Sequence, residues 1–159
     1  MGLKIKNVCI FSTVLLAFFC LWSCKKEQPE EDARIEPPIR TYMVTARIDR
    51  KGTNSTSEGT GILKGTYDEQ SKIFVYSLEY ENINPFLITL RSGIKGTVGA
   101  LIKEIYKQEE NIAIKQPVGG SLKLSPLQER NLLKGLWFVT IGTGITAPEI
   151  SGSVTLKQR

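Results

Sequence analysis

Residues 73–83 change side-chain character at almost every step. Phe74, Tyr76, Leu78 and Tyr80 fall on one parity, and Ser77, Glu79 and Glu81 on the other. A period of two fits a strand with one face buried and one wet; a helix would repeat its apolar stripe every three or four residues. The same pattern marks residues 42–49, where Tyr42, Val44, Ala46 and Ile48 alternate with Met43, Thr45, Arg47 and Asp49. Residues 61–67 put Leu63 and Tyr67 on one face. Asp68-Glu69-Gln70-Ser71-Lys72 then turns the chain, so 61–67 and 73–83 are expected to pair as a hairpin. Strands half-covered in this way must bury their apolar faces together, in a sandwich or a barrel.

The rest of the chain continues in that manner. Residues 52–61 are rich in Gly, Ser and Thr and read as a loop. Pro85 opens a strand over 86–91, with Phe86, Ile88 and Leu90 on one face, and 92–96 turns. Residues 98–106 suit a strand or a short helix, and the strand is preferred. Residues 107–120 are a polar excursion with a short strand near 112–114, and 121–124 is a strand. Ser125-Pro126-Leu127-Gln128 starts a helix: Ser as cap, Pro at the first helical position, Gln as reciprocal partner. Gly135 is placed to end it. Strands over 136–141 and 150–156 follow. The expected fold over 41–159 is all-β, a Greek-key-like β-sandwich with one short helix.

Before that domain the composition is different. Lys4 and Lys6 precede an apolar run of 15 residues, Val8 to Trp22, broken only by Ser12 and Thr13. That is short for a membrane span, which needs about 20 residues, and right for the core of a signal peptide. The run ends in Leu21-Trp22-Ser23-Cys24. This resembles the lipobox of bacterial lipoprotein precursors, with Trp22 bulkier than the usual occupant. The resemblance implies residues 1–23 as a lipoprotein signal peptide, cleavage between Ser23 and Cys24, and acylation of Cys24 by chains of the palmitate class. Two or three such chains hold a protein at a bilayer, with an upper bound on the order of 25–35 kcal/mol. Residues 24–40, charged and ending near Pro37-Pro38, cannot bury enough surface to fold and read as a disordered linker. The expected address is the bacterial cell envelope: a membrane-anchored lipoprotein, in the outer membrane on its periplasmic or its surface side.

Composition then excludes much chemistry. The chain has no histidine. Ser-His-Asp and Cys-His catalysis, and any His-ligated metal within the chain, are out of reach. Cys9 and Cys20 lie in the signal segment, so the mature chain holds a single cysteine and no internal disulfide. Removing Lys4 and Lys6 with the signal leaves 19 basic against 16 acidic residues, a net +3. The charges are interspersed and no basic run alternates with aromatics, so no nucleic-acid partner is expected.

Three stretches carry a further likeness. The first runs from Gly59-Thr60-Gly61 through Tyr67-Asp68 to Phe74-Val75-Tyr76-Ser77-Leu78-Glu79-Tyr80. The second is Thr89-Leu90-Arg91-Ser92-Gly93 followed by Gly99-Ala100-Leu101. The third joins Leu124-Ser125-Pro126, Leu132-Leu133-Lys134-Gly135, Phe138-Val139-Thr140-Ile141-Gly142-Thr143 and Pro148-Glu149-Ile150-Ser151-Gly152. In order and spacing they resemble the CHRD domain, the chordin-type module of many bacterial extracytoplasmic proteins, from about Thr45 to Leu156. The resemblance implies a β-sandwich, similar in layout to copper/zinc superoxide dismutase, and little about mechanism. Relatives commonly carry a His-x-His pair where this chain has Thr89 and Arg91, a His at Gly142 and an Arg at Ser151. The scaffold is kept and the polar cluster replaced, so no metal and no cofactor are expected.

The candidate ligand or partner surface is therefore Thr89, Arg91, Trp137, Gly142 and Glu149, with Arg91 and Glu149 expected to pair across the sandwich mouth. Loops 52–61, 91–97 and 142–149 would present that surface at one end of the sandwich. Trp137 and Phe138 alternate, with Phe138 the better core residue; Trp137 is expected to be partly buried under a loop and would be a stacking platform if exposed. Glu79 and Glu81 share a face and read as a solvated surface. The expected function is that of a non-catalytic, lipid-anchored module, held to the membrane through acylated Cys24, that binds an envelope protein or other envelope component. The alternatives are a carbohydrate-binding accessory module using Trp137 or the Tyr76/Tyr80 face, and a carboxylate-dependent hydrolase using Glu79, Glu81 or Glu149.

Overall fold

Eight strands form among the described residues. The computed structural model describes residues 39–94, 96–109, 114–145 and 147–159. The signal peptide, Cys24, all but the last two residues of the linker, and the core of the short strand expected near 112–114 lie outside the described residues. The strands are β1 (Thr41–Ile48), β2 (Thr60–Asp68), β3 (Ile73–Glu81), β4 (Leu87–Ser92), β5 (Ala100–Lys107), β6 (Val118–Lys123), β7 (Trp137–Gly142) and β8 (Ile150–Gln158), with one helix, α1 (Pro126–Leu133), between β6 and β7. The fold is all-β with one short helix. The ambiguous 98–106 segment is a strand, and a 3-10 turn at Arg50–Gly52 opens the loop after β1.

Every pairing is antiparallel, and the strand order is β5-β4-β7-β8-β1-β2-β3-β6. The chain crosses between the two halves of that order after β3, β5 and β6. Strand β8 joins the halves. Its first residues pair with β7, from Ile150↔Ile141 to Ser153↔Phe138. Its later residues pair with β1, from Val154↔Ala46 to Gln158↔Tyr42. At the changeover the two backbones nearly touch: a Cβ on Gly152 would lie 2.0 Å from the Arg47 carbonyl oxygen. Only glycine fits there.

One parity of each strand fills the space between the halves. Val44, Ala46 and Ile48 of β1, Leu63 and Tyr67 of β2, Phe74, Tyr76, Leu78 and Tyr80 of β3, Ile88 and Leu90 of β4, Trp137, Val139 and Ile141 of β7, and Ile150 and Val154 of β8 are all buried. This burial of large apolar side chains is the main driving force for the fold. Helix α1 closes one end. Ser125 and Gln128 form the reciprocal cap, and Gly135 sits at φ +69° just past the helix. The helix is fastened by Glu129, whose Oε1 accepts a hydrogen bond from the Tyr67 hydroxyl at 2.5 Å and from Lys72 Nζ at 2.7 Å.

Candidate functional site

The opposite parity of β4, β7 and β8 faces outward, and it builds the site. Thr89 and Arg91 stand on β4, Phe138, Thr140 and Gly142 on β7, and Ser151 and Ser153 on β8; Arg47 near the end of β1 and Asp49 just past it extend the row. These residues floor a groove of about 800 Å³, within the usual range for small-molecule sites. Register explains its shape. Leu87 lies beside Gly142 and Ser92 beside Trp137. The loop after β4 and the loop after β7 therefore leave at opposite ends of the same ribbon. Gly93, Ile94, Gly96, Thr97 and Val98 wall one end; Gly144, Ile145, Ala147 and Pro148 with the Asp49–Asn54 turn wall the other. The surface is thus a groove along the outer face rather than a mouth at one end of the sandwich.

A chain of polar contacts runs across the floor. The hydroxyls of Thr89 and Thr140, both buried, are 2.7 Å apart. Arg91 Nε donates to Thr89 Oγ1 at 3.0 Å, and Arg91 Nη1 donates to the carbonyls of Val98 at 2.9 Å and Gly99 at 3.2 Å. Arg91 therefore ties the 93–99 loop back onto the sheet. Phe138 helps, because its half-buried ring lies against Gly99, a residue at φ +62° where a Cβ would meet the ring at 2.8 Å.

Three expectations are corrected here. Arg91 and Glu149 form no ion pair. Glu149 Oε1 accepts from the Thr143 hydroxyl, its backbone oxygen accepts from Thr53 and Ser55, and its N–H donates to Ile141 O. It pins loops together and does not line the groove. Trp137 is no stacking platform: it is 1% exposed and packs edge-on against Phe74 at 5.9 Å. It shares parity with Val139 and Ile141, so Phe138 and not Trp137 faces the groove. Gly142 is buried, and the room a side chain would need is taken by Ala147 O, 2.9 Å from the position of its Cβ.

The structure thus brings Thr89, Arg91 and Gly142 together, sends Trp137 into the core and uses Glu149 as a loop staple. Tyr76 and Tyr80 are buried, and burial pushes both phenols above their ordinary range, so neither offers a sugar platform. Glu79 and Glu81 sit exposed on the outside of β3. Among the described residues no three His, Cys, Asp or Glu side chains gather as metal ligands, and no helix is long and apolar enough to cross a membrane.

The residues missed by sequence reasoning are Thr140, Phe138 and the cations Arg47 and Lys51. Shared parity with Thr89 across two paired strands was the available signal for the first two. The rim was missed as well. Val98, Ile94 and Ile145 are 79%, 74% and 72% exposed, the three most exposed large apolar side chains of the described residues, and all border this groove. No protein-family model, curated protein or solved structure matches the chain.

Proposed function

We propose that this chain is a non-catalytic, lipid-anchored binding module of the bacterial cell envelope that takes an envelope component in the groove on the outer face of β4, β7 and β8. One observation carries the reading: Thr89, Arg91, Gly142 and Ser151, four positions singled out by likeness to the CHRD domain, lie on that single face and line that single groove. A functional cluster in relatives, replaced here residue by residue, would leave this trace. The likeness to that domain is part of the proposal.

The anchor rests on the sequence. Lys4 and Lys6, the apolar run and Cys24 at its end supply the signal, and residues 24–40 supply reach. A flexible chain of that length spans about 20–25 Å on average. Catalysis by Glu79, Glu81 or Glu149 finds little support, because the first two stand on open surface and the third is engaged by Thr143. A sugar-stacking site on Trp137, Tyr76 or Tyr80 loses its platforms to burial.

The test has two arms. Mass spectrometry of the native protein should find acyl mass on Cys24 as first residue; an unmodified or uncleaved amino terminus removes the anchor. Photo-crosslinking in intact cells, from a probe at Ser153, should capture an envelope component, and a Trp at the exposed position Thr97 should suppress it. Capture that ignores the groove-filling Trp would sink the binding site.

A further inference from the structure

We infer that the groove binds a single-headed anionic amphiphile, a long-chain carboxylate, with its head on Arg91 and Thr140 and its chain against Val98 and Ile94; this rests on the binding reading above. The head site follows from hydrogen-bond direction. Arg91 Nε already donates to Thr89 Oγ1, and Arg91 Nη1 is spent on two carbonyls. Thr89 is 3% exposed and has no acceptor other than Thr140 Oγ1 among the described residues. A buried hydroxyl uses its proton where it can, so Thr89 donates to Thr140. The Thr140 proton is then left for a group in the groove, as is the Nη2 edge of Arg91. A charged donor polarises such a chain and strengthens its last link. Two free donors side by side, one of them charged, favour an anion.

The charges around it agree. Among the described residues the groove is lined by Arg47, Lys51 and Arg91 against one carboxylate, Asp49. Asp49 itself lies 3.8 Å from Arg47 Nε and caps the 3-10 turn through Lys51 N. The surplus is positive beside the floor hydroxyls.

The tail site follows from the rim. Arg91 is bonded to the backbone of Val98, whose side chain is 79% exposed. An anion on the guanidinium therefore has Val98 next to it, and Ile94 lies in the same loop. Exposed aliphatics bordering a cationic floor fit an amphiphile better than a plain inorganic anion.

A peptide with a carboxylate end has similar chemistry, but the floor disfavours it. Strand β4 is held between β5 and β7, and β7 between β4 and β8. No open strand edge lies in the groove, so a peptide would find no backbone partners there. An acyl chain needs none.

The test uses residues 39–159, which hold every buried core side chain of the described residues, from Val44 to Val154. Titration calorimetry with sodium decanoate, kept below its micelle concentration, should show saturable binding at one site. Acetate, which lacks the chain, and 1-octanol, which lacks the charge, should each bind about tenfold more weakly or worse. Arg91→Gln should weaken decanoate about tenfold or more. Because Arg91 also fastens a loop, Val98→Ser is the second variant: it should weaken decanoate about threefold to tenfold with an unchanged melting curve. Equal binding of octanol and decanoate, or decanoate binding indifferent to both substitutions, overturns the inference. If decanoate fails to bind while crosslinking at Ser153 remains groove-dependent, the carboxylate is wrong and the binding module stands. If both fail, both fall.

Discussion

Trp137 meets Phe74 edge-on, ring planes 77° apart and centroids at 5.9 Å, and this contact joins the two halves of the strand order through the middle of the core. The indole Nε1 is buried without a hydrogen-bond partner among the described residues. Trp137→Phe should therefore lose packing volume but no polar contact, at a cost of about 1–2 kcal/mol, whereas Trp137→Ala should cost about 3–5 kcal/mol. Urea unfolding of the 39–159 segment measures both. Ligand binding by the Trp137→Phe protein should match the parent, and a selective loss of binding would return Trp137 to the site.

The Thr89–Thr140 pair lends itself to a double-mutant cycle. Thr89→Val leaves Arg91 Nε without its acceptor and Thr140 without its neighbour, and should cost about 1–3 kcal/mol. Thr140→Val alone strands the Thr89 proton at a similar cost. The double substitution should cost clearly less than the two added together, because no unpaired hydroxyl remains. Strict additivity in urea unfolding would mean that the hydroxyls do not interact.

Glu129 makes stability depend on acid. Burial pulls its carboxyl upward, but the hydrogen bonds from Lys72 and Tyr67 outweigh burial and hold it below the ordinary 4.5. Tyr67 moves the other way, raised by burial first and by Glu129 second. A carboxyl lowered in the folded state stabilises fully above its unfolded value, and that contribution disappears as pH falls through its folded value. Glu129→Gln should cost about 1 kcal/mol at pH 7, since Lys72 is partly solvated and its share is screened. The variant should also lose less stability than the parent between about pH 5 and pH 3. Parallel acid limbs for the two proteins would contradict the assignment.

Two glycines are reserved by neighbouring backbone. Gly152→Ala drives a methyl onto the Arg47 carbonyl and should cost about 3 kcal/mol, unfolding at markedly lower urea. Gly142→His would place a histidine where the proposed likeness to the CHRD domain has one, yet its Cβ meets Ala147 O at 2.9 Å. The substitution should displace the 143–148 loop, read as new proteolysis there, rather than complete a cluster on the floor.

Much of the architecture was readable because polar and apolar residues alternate cleanly in β1 and β3, and because Ser125, Pro126, Gln128 and Gly135 punctuate α1 so plainly. Phase was harder to read in β7. Leu136, Trp137, Phe138 and Val139 are all apolar, so alternation starts only at Thr140, and that single hydroxyl is what marks Phe138 as outward. The groove was half legible. Thr89, Arg91 and Gly142 were identified, but bringing Arg47 beside them requires β8 to leave β7 for β1, a changeover with no local sequence mark except Gly152. The partners of Arg91 were invisible for a different reason: two of its three bonds go to backbone carbonyls, and carbonyls have no residue type.

Strand β8 also sets the order in which this molecule can be completed. It follows in sequence every strand it pairs with, and among the described strands it alone is hydrogen-bonded to both β7 and β1. A polypeptide emerging amino end first can form the β1–β2–β3 meander early, yet its halves stay unlatched until the closing residues arrive. Losing the stretch from Val154 to Gln158 would remove every β8–β1 pairing and should therefore open the whole seam instead of fraying one margin.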